Sequence, residues 1–150
     1  MAKINNWTRN ETIVAFNVYC KVPFKSSSKT NPTIIKYANM IGRSPSALNM
    51  KVGNFGRLDP ELKKQGIVGL GNGSKLDEII WNEFNGNWEK LGFESELLIA
   101  QFQNKTIEET VEFDLDNLPQ GKEREALIKI RVNQSFFRST ILSSYNQNVV

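Results

Sequence analysis

Apolar residues recur through the first sixty positions at the spacing of short helices, and start and stop signals bracket each run. Thr8-Arg9-Asn10-Glu11 is a capping box, with Thr8 placed to cap and Glu11 to reciprocate. Ile13, Val14, Phe16, Val18, Tyr19 and Val22 follow, so the first helix ends before Pro23. Residues 24–30 (FKSSSKT) read as a basic, flexible connection. Asn31-Pro32 opens a second helix, Ile34, Ile35, Ala38 and Ile41 give its apolar face, and Gly42 closes it. Ser44-Pro45 starts a third helix at once, expected to reach about Asn54, with Leu48, Val52 and Phe55 as its buried stripe. Two capped helices joined by so short a turn make a helix-turn-helix pattern.

Beyond it, Asp59-Pro60 caps a short helix stopped by Gly66. The glycine-rich run 66–73 (GIVGLGNG) lacks both the GxGxxG spacing and the Walker order, so it reads as a flexible loop and not a phosphate cradle. Ser74-Lys75-Leu76-Asp77 begins a helix containing Ile79, Ile80, Trp81 and Phe84, and Gly86-Asn87 separates it from another over about 88–102. The pattern then weakens into an acidic linker over 104–121, with a short strand expected around 111–115. A final amphipathic helix is expected over about 133–145. The fold class predicted is mainly α: an N-terminal helix-turn-helix three-helix unit, a helical pair, the acidic linker and a C-terminal helix. The expected division is a helical recognition domain over 1–103 (helix-turn-helix about 31–55), the linker, and a C-terminal extension over 122–150.

Composition removes whole classes of chemistry. The 150 residues include no His and a single Cys, Cys20. Histidine-based triads, His-ligated zinc and disulfide frameworks are therefore excluded, and Cys20 reads as a buried thiol in a reducing cytoplasm. No apolar run reaches the roughly 18 residues of a membrane span, and the N-terminus is polar, so a cytoplasmic protein is expected.

Charge changes the picture further. Residues 1–75 carry twelve Lys/Arg against three Asp/Glu, residues 76–121 two against eleven, and residues 122–150 five against two. A basic first half suggests a surface for a polyanion, with the acidic middle facing away from it. Nothing cationic clusters in sequence with the carboxylates of residues 77–96, so they read as a solvated helix surface and not as acid–base dyads. On a helical wheel, Ser46, Asn49, Met50 and Gly53 point outward from the third helix, with Lys51 and Asn54 on its flanks. Such a face suits base edges, while Lys36, Arg43, Lys51 and Arg57 suit phosphates. A plain helical hairpin with a solvated face fits the same spacing.

Trp7-Thr8-Arg9-Asn10-Glu11, the run Gly42-Arg43-Ser44-Pro45-Ser46-Ala47-Leu48-Asn49-Met50-Lys51, Leu58-Asp59-Pro60, Trp81-Asn82-Glu83-Phe84 and Arg131-x-x-Gln134-x-x-Phe137-Arg138 together form a recognisable series. The chain resembles the N-terminal region of bacterial HNH-type putative restriction endonucleases. In that family the last motif leads into a nuclease module with a Cys-containing strand and a His-rich, divalent-metal site. Here Val149 stands about where that Cys is expected, and there is no His. The resemblance thus implies a recognition half that binds double-stranded DNA, with no catalytic residues, no metal ligands and no cofactor in this chain. It is expected not to be an enzyme by itself.

The DNA-contact candidates are Lys36, Arg43, Ser44, Ser46, Asn49, Lys51, Asn54 and Arg57. Asn49 is the first choice for a base, since a carboxamide pairs bidentately with adenine. Ser44 reads equally as a cap, Asn54 as a helix end, and Arg57 as a partner of Asp59. Arg131, Gln134 and Arg138 are expected to brace a nuclease module. Two other readings remain: a protein-interaction module that docks a nuclease or a second copy, and a helix-turn-helix transcriptional regulator.

Overall fold

A computed structural model describes residues 6–66, 74–110 and 119–140. Among these residues there are eight α-helices and no strand. The glycine-rich loop over 67–73, the strand expected at 111–115 and the last residues of the expected final helix lie outside the described residues.

Helix α1 (Arg9–Lys21) carries the capping box that Thr8 and Glu11 encode, and every residue from Thr12 to Cys20 is buried. A helix apolar on all sides must be surrounded. Accordingly α2 (Pro32–Ile41), α3 (Pro45–Leu58), α5 (Lys75–Phe84) and α6 (Trp88–Phe102) all pack against α1. Phe16 occupies the centre, stacked on Phe55 of α3 at 4.7 Å and on Trp81 of α5 at 5.1 Å. Three helices thus share one aromatic column.

The turn between α2 and α3 is built as its residues dictate. Gly42 adopts φ 75°, and the Arg43 N–H reaches back to the Ala38 carbonyl at 2.9 Å, closing α2 with a Schellman bond. Ser44 then caps α3 by accepting from the Ala47 N–H at 3.1 Å. Helix α3 runs four residues past the expected end at Asn54. Phe55 is fully buried in the aromatic column, and Gly56 lies against Phe24 and Leu62, so packing outweighs the weak helix propensity of two glycines. The connection over 24–30 contains a 3-10 turn (Phe24–Ser26), tied down by Asn31 Nδ2 donating to the Ser26 carbonyl at 3.0 Å.

Short α4 (Pro60–Lys64) follows Asp59, and the capping box of α5 joins Ser74 to Asp77. Asn104, at φ 58°, closes α6 by the same bond as Gly42, with the Lys105 N–H on the Ala100 carbonyl at 2.9 Å. Two expectations about the C-terminal part need correction. The linker contains a helical turn, α7 (Ile107–Thr110), capped by Thr106 and Glu109. The last helix, α8 (Gly121–Arg138), begins about twelve residues earlier than expected and packs on α6. Its Ile128, Val132 and Phe136 form the buried stripe, and Phe136 belongs to the same core as Phe16. Residues 122–138 of the expected extension therefore belong to a helix packed on α6.

Candidate nucleic-acid interface

The fold divides the sequence-derived candidates sharply. Ser46 and Lys36 are exposed, and the Lys36 ammonium lies 5.5 Å from the Tyr37 ring centroid. Met50, on the same outward face as Ser46, is 61% exposed. Asn49 is half-buried and accepts a hydrogen bond from the Ser27 hydroxyl, so its carboxamide oxygen is already engaged. Ser44 acts as the α3 cap.

Four expectations are corrected. Lys51 is not at the flank of an open face: its side chain is 6% exposed and its ammonium sits 2.8 Å from Asp77 Oδ1, itself 0% exposed. Asn54 donates to the other oxygen of Asp77 at 3.2 Å, and Gly53 is buried. Arg43 is turned inward, donating to Glu11 Oε1 at 2.8 Å and to the Asn6 carbonyl at 3.0 Å, with its guanidinium 4.6 Å from the Trp7 ring centroid. Arg57 makes no bond to Asp59; its Nε and Nη2 are buried without a hydrogen-bond partner. For Lys51 and Asn54 a wheel assigns direction about one helix axis, but α5 occupies the space outside it; Arg43, in the turn, is claimed by Glu11 and the segment before α1.

The acidic middle is corrected for the same reason. Glu78 and Glu89 are exposed as expected, but three of its carboxylates turn toward cations of α1 and α3. Asp77 holds Lys51, Glu96 holds Lys21 at 2.8 Å, and Glu83 holds Arg9 at 2.5 Å. Burial alone would drive the Lys21 ammonium toward its neutral form, yet Glu96 and the Tyr37 hydroxyl beside it hold its pKa above the ordinary lysine value.

What remains for a polyanion is a different set of cations. From Thr12 to Leu58 the chain contains no Asp or Glu. Within that stretch Lys25, Lys29 and Lys36 stay exposed, and no ion pair holds them among the described residues. Lys25 and Lys29 belong to the segment that packs on α3 through Phe24 against Gly56 and Ser27 against Asn49. Sequence reading marked that segment as basic but left it out of the site, because nothing local shows that it folds onto α3. Exposed Lys63 follows on α4, beside Lys64, whose ammonium lies 3.4 Å from Glu61.

Arg131, Gln134 and Arg138 are all exposed on α8, at positions i, i+3 and i+7 of one strip. Gln134 and Arg138 also border an open groove of about 820 Å³ between α8 and Glu89 of α6, floored by Ala126, Ile130 and Phe137. No cluster of three or more Cys, Asp or Glu among the described residues is arranged to hold a metal ion. No helix among them is long and apolar enough to cross a membrane. Compared with known proteins, the chain matches no family model, no curated protein and no solved structure.

Proposed function

We propose that this chain binds double-stranded DNA with α2 and α3 acting as a helix-turn-helix. In this reading Ser46, Asn49 and Met50 meet base edges, while Lys25, Lys29 and Lys36 meet phosphates. The observation that carries it is the carboxylate-free stretch from Thr12 to Leu58, whose exposed lysines flank the uncharged outward face of α3. Taken with the resemblance to HNH-type restriction endonucleases, the role proposed is target recognition in a restriction-type system of the bacterial cytoplasm. Cleavage would belong to a nuclease module and not to these residues.

Fluorescence anisotropy with a random duplex at low and moderate salt tests this. Binding should weaken steeply with salt, and Lys25→Gln, Lys29→Gln and Lys36→Gln should each lower the log–log salt slope by about 0.9. Absence of binding at low salt would overturn the reading.

A second reading rests on the α6–α8 groove, where Ile130 is 54% exposed. Docking a protein partner there, a nuclease module or a second copy, would bury apolar surface and respond little to salt. Ile130→Asp would abolish it while leaving DNA affinity unchanged.

A further inference from the structure

Asn49 lies on the outward strip of α3, one turn after exposed Ser46 and next to exposed Met50. Its carboxamide is held in one orientation. The Ser27 hydroxyl, from a segment 22 positions earlier in the chain, donates to Asn49 Oδ1. Asn49 Nδ2 makes no hydrogen bond among the described residues and is not shut off from solvent. The accessible end of this side chain is therefore a donor.

Ser27 is itself anchored on both sides. Three residues before it, the Phe24 ring packs so closely on Gly56, in the last turn of α3, that a Cβ there would collide with it. The Ser27 N–H donates to the Phe24 carbonyl at 3.1 Å, and the adjoining Ser26 carbonyl accepts from Asn31 Nδ2 at 3.0 Å. Asn31 is the cap of α2. The segment is thus tied to both α2 and α3, and it delivers the hydroxyl to a fixed point beside Asn49.

The direction of that bond has a chemical consequence. In the major groove guanine and thymine present a keto oxygen, where adenine and cytosine present an amino group. An N–H donor pairs with the first two and faces hydrogens of the other two. Adenine N7 is an acceptor as well, but the amino group beside it turns its hydrogens toward the same donor. A carboxamide free to turn over suits both classes, because its two ends have opposite polarity. One pinned by Ser27 does not.

We propose that Ser27 is a positioning residue that fixes Asn49 as a donor, so that the chain prefers a keto base to an amino base where Asn49 meets the groove. This rests on the DNA-binding reading above, and it replaces the adenine pairing expected from the sequence.

The test is selection of duplexes from a random library by the intact chain, followed by anisotropy titration of single-base variants. Asn49→Ala identifies the position concerned, as the one where preference flattens. There the unsubstituted chain should favour guanine or thymine over adenine or cytosine by about fivefold. Ser27→Ala should abolish that ratio at this position alone, with the salt slope and Tm unchanged. Ser27→Thr keeps the hydroxyl and should restore it. Should Ser27→Ala not fold, Ser27→Cys takes its place, since a thiol is only a weak donor. Damage to the fold would lower affinity for every duplex and leave the ratio between bases as it was. A preference for adenine or cytosine, no preference at all, or a keto preference that survives loss of the hydroxyl overturns the proposal while salt-sensitive binding keeps the DNA-binding reading. Absence of binding at low salt overturns both.

Discussion

The ammonium of Lys51 lies 2.8 Å from the Oδ1 of Asp77, and both side chains are almost wholly out of solvent. This contact joins the middle of α3 to the first turn of α5, across 26 positions of sequence. Asp77 also receives Asn54 and caps its own helix through the Ser74 N–H, so one carboxylate holds three donors.

Removing that carboxylate should therefore be severe. Asp77→Ala strands a buried ammonium, and a loss of about 3–5 kcal/mol is expected in urea unfolding. Lys51→Met should cost less, because Asp77 keeps two donors. Equal losses for the two variants would contradict the arrangement. A Lys51 variant that unfolds normally but loses DNA affinity would return Lys51 to the interface.

Gly56 of α3 and Gly92 of α6, both buried, should respond differently to a methyl group. A Cβ on Gly92 would lie 2.6 Å from Phe136, a fully buried ring in the core. Gly92→Ala should destabilise by about 1–3 kcal/mol through overpacking. At Gly56 the obstacles are Phe24, a half-buried ring on the turn before α2, and Leu62 of α4 at 3.2 Å. Gly56→Ala also gains about 1 kcal/mol of helix propensity, so its net cost should be the smaller. Thermal unfolding of the pair decides.

Stability should fall at both extremes of pH. Burial works to raise the Glu11 pKa, but the Arg43 guanidinium and the Thr8 N–H outweigh it and hold the group below the ordinary 4.5. A carboxylate lowered on folding contributes stability above its ordinary value and loses it as pH falls through the folded one. Glu83, lowered chiefly by its bond to Arg9, acts in the same direction. Lys21 is raised above the ordinary 10.5, so its contribution is complete below that value and is lost as pH rises through the folded one. Glu11→Gln should flatten the acid limb and Lys21→Met the alkaline limb of a Tm-against-pH curve, each leaving the other limb intact.

Cys20 should be inert in the native protein. Desolvation pushes its thiol pKa upward, and it lies on α1 within the core. A chromogenic thiol reagent should react at the rate of unfolding and accelerate in denaturant. Rapid reaction in native buffer would show that α1 is not enclosed.

The helix ends were legible in the sequence because they are local chemistry. Thr8, Asn31, Ser44, Asp59 and Ser74 each accept a backbone N–H two or three residues on, and Gly42 and Gly86 supply the left-handed positions that end or separate helices. The core stripe of Leu48, Val52 and Phe55 was legible for the same reason, since period and apolarity suffice to mark a buried face. The start of α8 was not. Its first turns carry Lys122, Glu123, Arg124 and Glu125 with no side-chain cap; they lean on α7 through the Arg124–Glu108 pair and lead into the Ile128, Val132 and Phe136 stripe.

The candidate interface divides along the same line. Sequence determined that the first half is basic, that α3 has an uncharged outward face, and that no histidine chemistry is present. Only the tertiary structure decided which cations remain available. It placed α5 and α6 beside α1 and α3, so that Asp77 and Glu96 claim Lys51 and Lys21, while Glu11 of α1 claims Arg43 across the turn. Caps and periods are fixed by neighbours a few residues away and can be read from one segment. The pairing of charges tens of residues apart depends on which helices the aromatic column brings together, and no single segment carries that information.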